Sequence, residues 1–250
     1  MKIEECNKPK YSKFHFSSDE PLEKKLEKIP LYNDLLNRFA TTLTIGRQGQ
    51  GKSSLVMNLL KDKDGYKGVF DHIYVFLPTT SQQNIKDSPY SKIPQEQIFD
   101  ELNYENLEYV FSKINETAEN NVEIEDDEEK ERCLIIFDDV SSELKNKSIQ
   151  QLLKRIIKNQ RHLFVSSIYI LQSYFDMPKQ LRLVCNNLFL FKMSKDVMYE
   201  IFKELIEIPK SKYDELIQMV YNDNHDWLAI NMNNKNMYSK FDRVILDEPI

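Results

Sequence analysis

"TIGRQGQGKSSL", residues 44–55, holds three of the five glycines in a chain of 250 residues. Gly46, Gly49 and Gly51 fall within six positions, and Lys52, Ser53 and Ser54 follow at once. "GRQGQGKS" fits the spacing G-x-x-x-x-G-K-[ST] without mismatch. The pattern has a physical reason. A polyphosphate must lie against bare backbone N–H groups, and glycines let the chain curl close to it. A helix that begins next turns its amino terminus toward the anion. Gly46, Gly49, Gln50 and Gly51 would form the cradle, Lys52 would reach the β and γ phosphates of ATP, and Ser53 would ligate Mg²⁺; Ser54 is a further candidate at the cradle, or else packs or caps. In a chain of average composition such a match arises by chance about once in a hundred sequences of this length.

The flanks meet the demand for a strand before and a helix after. "FATTLTIG" is a β-branched run ending in glycine, and Leu55, Val56, Leu59 and Leu60 recur at helical spacing. Further strands are expected at "DHIYVFLP" (71–78), "RCLIIFDDV" (132–140), "LFVSSIYILQS" (163–173) and "LFLFKM" (188–193). Helices are expected over 106–119, 145–162, roughly 195–207 and 210–221. Residues 79–103 read as loop, with Pro89 and Pro94 as breakers. "DWLAINMNNKNMYSKFDRVI" reads as a hairpin turning at "MNNKN", then a final strand. Apolar strands alternating with helices indicate a mostly parallel sheet covered on both faces, the α/β class. Residues 1–37 read as an amino-terminal extension packing partly on the core. Residues 38–250 form the main domain, with a motif-bearing core at 38–195 and carboxy-terminal helices and strands at 196–250.

"LIIFDD" brings a second chemistry. An apolar strand buries its body and delivers carboxylates at its carboxyl end, where ligands sit in open α/β sheets. Asp138 is the candidate to hold Mg²⁺ through water. Asp139 is the candidate to orient or deprotonate an attacking water, or it caps the next segment. Gln172 ends the following strand, where a neutral amide can sense a γ-phosphate or hold a water; it can also simply be a polar strand end. Transition-state charge calls for an arginine, often from a neighbouring subunit. Arg161 in "NQRHL" and Arg182 in "MPKQLR" are the candidates, Arg161 the favoured one; each can also be a surface or DNA-facing cation.

Forty acidic residues against 34 basic ones give a net charge of −6, which argues against a protein that coats nucleic acid with its whole surface. The charge is uneven. "EIEDDEEKE" (123–131) reads as a solvated acidic loop without a catalytic role. No acid occurs from Leu144 to Phe175, a stretch that carries Lys145, Lys147, Lys154, Arg155, Lys158 and Arg161. That run is a phosphate-contacting face or a solvated helix face. Cys6, Cys133 and Cys185 are scattered without metal-ligand spacing and are expected to be thiols in a reducing compartment. There is no run of apolar residues long enough for a membrane span and no secretion signal, so no membrane association and no export are expected.

Taken together, "GRQGQGKSS", "HIYVFLPTT", "LIIFDDV" and "RHLFVSSIYILQSYFDMPKQLR" resemble the genome-packaging ATPases of large double-stranded DNA viruses and their satellite viruses, in the FtsK/HerA superfamily of P-loop NTPases. The resemblance covers roughly residues 38–195. It implies a RecA-like sheet with the cradle strand beside the glutamine strand. It also implies an ATPase motor that translocates double-stranded DNA into a viral capsid. Such a motor works as a homo-oligomeric ring with active sites completed between subunits, next to capsid or portal-like vertex proteins, in the virion or the host cytoplasm where virions assemble. Cellular FtsK/HerA proteins carry Glu at the place of Asp139, whereas viral members resemble this chain in using Asp-Asp. The alternatives are another P-loop NTPase acting on nucleic acid, helicase-like in action, and a nucleotide-gated adaptor that needs no hydrolytic residues.

Overall fold

The computed structural model describes residues 2–4, 31, 34–36, 39–78, 89–126, 129–206 and 208–245. Of the sequence expectations, most of the amino-terminal extension with Cys6, part of the 79–103 loop and two residues of the acidic run lie outside these.

The parallel half of the sheet follows from strands that are buried without alternation. β2 (Thr41–Ile45), β5 (Cys133–Asp138), β6 (Val165–Leu171) and β7 (Asn187–Phe191) are buried along their whole lengths, as strands covered on both faces must be. β3 (His72–Phe76) and the two-residue β4 (Ile98–Phe99) complete a parallel block in the order β4-β3-β5-β6-β2-β7. β6 therefore lies between the strand leading into the glycine-rich turn and the strand that ends in aspartates.

Beyond β7 the sheet turns antiparallel. β8 (Trp227–Asn231), β9 (Met237–Ser239) and β10 (Asp242–Ile245) add on in sequence. The turn between β8 and β9 falls on 232–236, as "MNNKN" predicts. β1 (Lys2–Glu4) pairs with β10, a pairing that no sequence pattern announces; ten strands form one sheet among the described residues. Leu35 and Leu36 are also buried in the core, and the Asp34 carboxylate accepts bonds from Asn231, Asn234, Asn236 and Tyr238. Residues 34–36 are thus built into the same core.

Alternate residues of each buried strand face opposite layers. Cys133, Ile135 and Phe137 of β5 point to one side, with Leu134 and Ile136 on the other. The first side receives α2 (Tyr104–Asn121), α3 (Lys147–Lys158), α5 (Lys195–Leu205) and α6 (Tyr213–Val220). On the second, α1 (Lys52–Lys61) lays down Leu55, Val56, Met57 and Leu59. α2 and α3 begin at Asn103 and Asn146, whose side chains accept backbone N–H bonds from Asn106 and from Ser148 and Ile149. Between β6 and β7 the short α4 (Lys179–Arg182) occupies a segment for which the sequence predicts no element. Cys133 and Cys185 are buried free thiols.

Four aromatic rings stack across the block at one level. Phe99 to Phe76, Phe76 to Phe137 and Phe137 to Tyr169 have centroid separations of 5.0, 5.3 and 4.5 Å. This ladder stiffens the floor from which Asp138, Asp139 and Gln172 project.

Candidate nucleotide-binding site

The glycine-rich turn joins β2 to α1. Gly49 and Gly51 take φ of 80° and 97°, a left-handed backbone that favours glycine. Gly46 is required for a different reason: a Cβ there would lie 2.6 Å from Cβ of Phe191. The Gly46 N–H bonds to Leu171 O at 3.2 Å, tying the start of the turn to the end of β6. α1 begins without a side-chain cap and without an acid in its first turn. Its first N–H groups therefore lack an internal partner, and a helix start in that condition attracts an anion.

Within the turn the side chains divide their work. Gln50 does not face outward: its Oε1 accepts the Arg47 N–H and its Nε2 donates to Lys192 O at 2.8 Å, pinning the turn to the end of β7. Lys52 is buried, and its Nζ donates to Arg47 O at 3.0 Å across the mouth of the turn. Ser54 is exposed and caps nothing, so the expectation that it packs or caps is corrected.

Ser53 Oγ donates to Asp138 Oδ2 at 3.1 Å, bringing the two sequence motifs into contact over 85 positions. Burial pushes the Asp138 carboxyl up to about 6, helped by the charge of Asp139 and opposed by the Ser53 bond and Lys52. Burial likewise holds the Lys52 ammonium below its usual range, against the pull of Asp138 and Asp139. Desolvation dominates both shifts, so charges here act at low effective dielectric. A hydroxyl and a carboxylate oxygen side by side suit a hard cation that completes its shell with water and phosphate oxygens. No cluster of three or more His, Cys, Asp or Glu exists among the described residues to form an all-protein metal cage.

Asp139 follows β5 in a left-handed conformation at φ 59°, which turns its side chain out of the strand line and leaves it exposed. Aspartate tolerates this region better than most residues. Gln172 Nε2 donates to Asp139 Oδ1 at 3.0 Å. The tips of β5 and β6 are thereby joined by side chains as well as by the ladder.

The two arginines part company. Arg182 is buried; Nε and Nη2 donate to Glu204 at 2.9 and 3.1 Å, Nη1 donates to Met177 O, and the guanidinium stacks on Tyr174. It is a structural ion pair within its own chain, which corrects its candidacy as a cation reaching a neighbour's nucleotide. Arg161 is exposed in the turn before β6. β6 has seven residues, so Arg161 sits about 20 Å from the strand tip that carries Gln172. It cannot serve its own chain's cradle.

Two residues near the site carried no signal in the sequence. His225, from the loop before β8, places Nδ1 3.0 Å from Gln50 O. Tyr90 is buried, and Asp138 contributes to holding its hydroxyl protonated, after burial itself.

Solved structures with the same fold include the genome packaging NTPase B204 from Sulfolobus turreted icosahedral virus 2 in complex with AMP. It shares 15% identity at a TM-score of 0.56, over 84% of this chain and 100% of that one. B204, the DNA-packaging ATPase from Sulfolobus Turreted Icosahedral Virus, gives 14% and 0.55, over 84% and 99%. ATPases 2 and 3 of EssC from Geobacillus thermodenitrificans give 16% and 0.54, over 84% of this chain and 41% of that one. At these identities the likeness is one of fold, a P-loop NTPase sheet. No curated protein matches the chain. The family described as Poxvirus A32 protein matches residues 27–247, nearly the whole length, and the chain belongs to that family.

Proposed function

We propose that the chain is an ATP-hydrolysing motor that translocates double-stranded DNA into a viral capsid. The observation that carries the reading is the Ser53–Asp138 contact beside Lys52 at the uncapped start of α1. It makes one centre of a phosphate cradle and a carboxylate pair. The triphosphate of ATP lies along the backbone N–H groups of residues 49–53, and Lys52 turns from Arg47 O toward the β and γ phosphates. Ser53 and Asp138 are the residues that would hold Mg²⁺, and the ion would supply charge neutralisation at the phosphates. Asp139 accepts the proton of the water that attacks the γ-phosphorus, and Gln172 keeps that carboxylate aimed. The bond to the β-phosphate oxygen breaks, leaving ADP and phosphate. The fold neighbours named for genome packaging, and membership of a poxvirus family, support a packaging role at the site of virion assembly.

Arg161 lies too far from its own cradle to act there, which favours action on a neighbour's nucleotide in a ring. Mixing Arg161→Ala chains, which keep an intact cradle, with Lys52→Ala chains, which keep an intact Arg161, is expected to restore turnover that neither shows alone. Absence of recovery in mixtures that still form rings would remove Arg161 from this role.

The duplex meets the chain at α3. Lys147, Gln151, Lys154 and Lys158 recur at steps of four, three and four, forming one stripe about 16 Å long opposite the apolar face of Ile149, Leu152, Leu153, Ile156 and Ile157. The three lysines are exposed or half-buried, with no ion pair among the described residues. Arg155 is excluded from the stripe, since its guanidinium lies over the Phe111 ring. Contacts of this kind go to phosphates, are indifferent to sequence and fade with salt. Duplex DNA is expected to stimulate ATP hydrolysis without strand separation. Replacing the three lysines by glutamate should remove the stimulation and leave ATP binding intact. It should also flatten the salt dependence of DNA binding by about 0.9 for each phosphate that is no longer neutralised. Equal turnover with and without DNA at low salt would contradict the motor; strand separation would favour a helicase.

A further inference from the structure

The peptide between Gln50 and Gly51 sits in the middle of the cradle and is bordered on one side by Gly51, whose backbone is left-handed at φ 97°. Glycine imposes little on the orientation of the peptides that flank it. A flip of this peptide would turn a carbonyl oxygen toward the phosphates in place of an N–H. The peptide is trans, like every peptide bond described, so its C=O and N–H point in opposite directions. Whatever holds the oxygen on the outer side therefore aims the Gly51 N–H inward.

His225 occupies that position. Its Nδ1 lies 3.0 Å from Gln50 O and 3.5 Å from where a Cβ on Gly51 would be. A backbone carbonyl can only accept, so Nδ1 is the donor and the imidazole carries its hydrogen there. The loop presenting His225 is itself braced. Asn222 and Asp223 donate their N–H groups to the buried carboxylate of Asp226, which also pairs with Lys240 at 2.8 Å. Just before it, the Tyr221 hydroxyl donates to Leu190 O near the end of β7. The antiparallel wing thus reaches back onto the cradle through one side chain.

We propose that His225 is a positioning residue for the phosphate cradle, holding the Gln50–Gly51 peptide so that its N–H faces the triphosphate. The proposal rests on the reading of residues 46–53 as the ATP site. It makes the segment between α6 and β8 part of nucleotide recognition, although no motif marks it.

Affinity of the full chain for ATP with Mg²⁺, measured by calorimetry alongside the unfolding temperature, tests this with three variants. His225→Phe keeps the ring volume and loses the donor; ATP binding is expected to weaken about tenfold, with the unfolding temperature unchanged. His225→Asn places an amide nitrogen where Nδ1 stands and is expected to bind like the wild type. His225→Gln carries its amide one bond further out and is expected to resemble the phenylalanine variant. A phenylalanine variant that binds ATP as the wild type does would overturn the proposal. So would an asparagine variant as weak as the phenylalanine one, because the volume of the ring and not its bond would then matter. A wild-type chain that fails to bind ATP would instead sink the reading of the cradle itself.

Discussion

Lys52→Ala is expected to lose ATP binding almost completely, with affinity down by about two to four orders of magnitude. The side chain is buried in a site that also holds Asp138 and Asp139, and its ammonium stands at the start of α1, where the proposal seats the phosphates. Two charge-assisted contacts, to the β and γ phosphates, are together worth about 3–6 kcal/mol. Removing the ammonium also leaves the charges of Asp138 and Asp139 with less compensation, which makes the empty site still less receptive to a polyanion. Lys52→Met keeps the aliphatic stem and should bind as poorly, separating the loss of charge from the loss of packing. Calorimetric titration with ATP and Mg²⁺ measures both. Near-normal affinity in either variant would place the triphosphate elsewhere.

Asp139→Asn is expected to do the reverse. It should bind ATP within a few-fold of the wild type and lose about two to four orders of magnitude in turnover, the usual worth of a general base. The substitution is mild by construction. Asparagine accepts the left-handed backbone that position 139 requires, at φ 59°, and its amide oxygen can still take the bond from Gln172. What it cannot do is accept a proton from water. Steady-state hydrolysis read beside ATP affinity separates the two effects, and retained turnover would remove Asp139 from the role of base.

The cradle, the carboxylate pair and the parallel block were legible because each rests on local chemistry. Gly46, Gly49 and Gly51 stand out in a glycine-poor chain, β5 is a continuous apolar run that ends in Asp138, and β6 is a largely apolar run that ends just before Gln172. The order of the central strands followed from the resemblance, which implied a glutamine strand beside the cradle strand. Other features were hidden because they arise from contacts across long stretches of sequence. Lys2–Glu4 becomes a strand by pairing with β10, and three residues have no periodicity to read. Asp34 looks like an ordinary surface acid until the β8–β9 turn wraps its carboxylate with Asn and Tyr donors. Arg182 carries the same charge as Arg161, and only the packing of α4 against Tyr174 and Glu204 turns one inward and leaves the other exposed. His225 sits 175 positions from the carbonyl it meets.

The inactivity expected of Asp139→Asn gives direct access to the central claim, since its complex with ATP and Mg²⁺ should persist long enough for structure determination. The account predicts phosphates seated on the backbone of residues 49–53, the Lys52 ammonium between the β and γ groups, and a magnesium ion bounded by Ser53 and Asp138. Nucleotide bound away from this turn, or a metal ion with neither Ser53 nor Asp138 beside it, would contradict it.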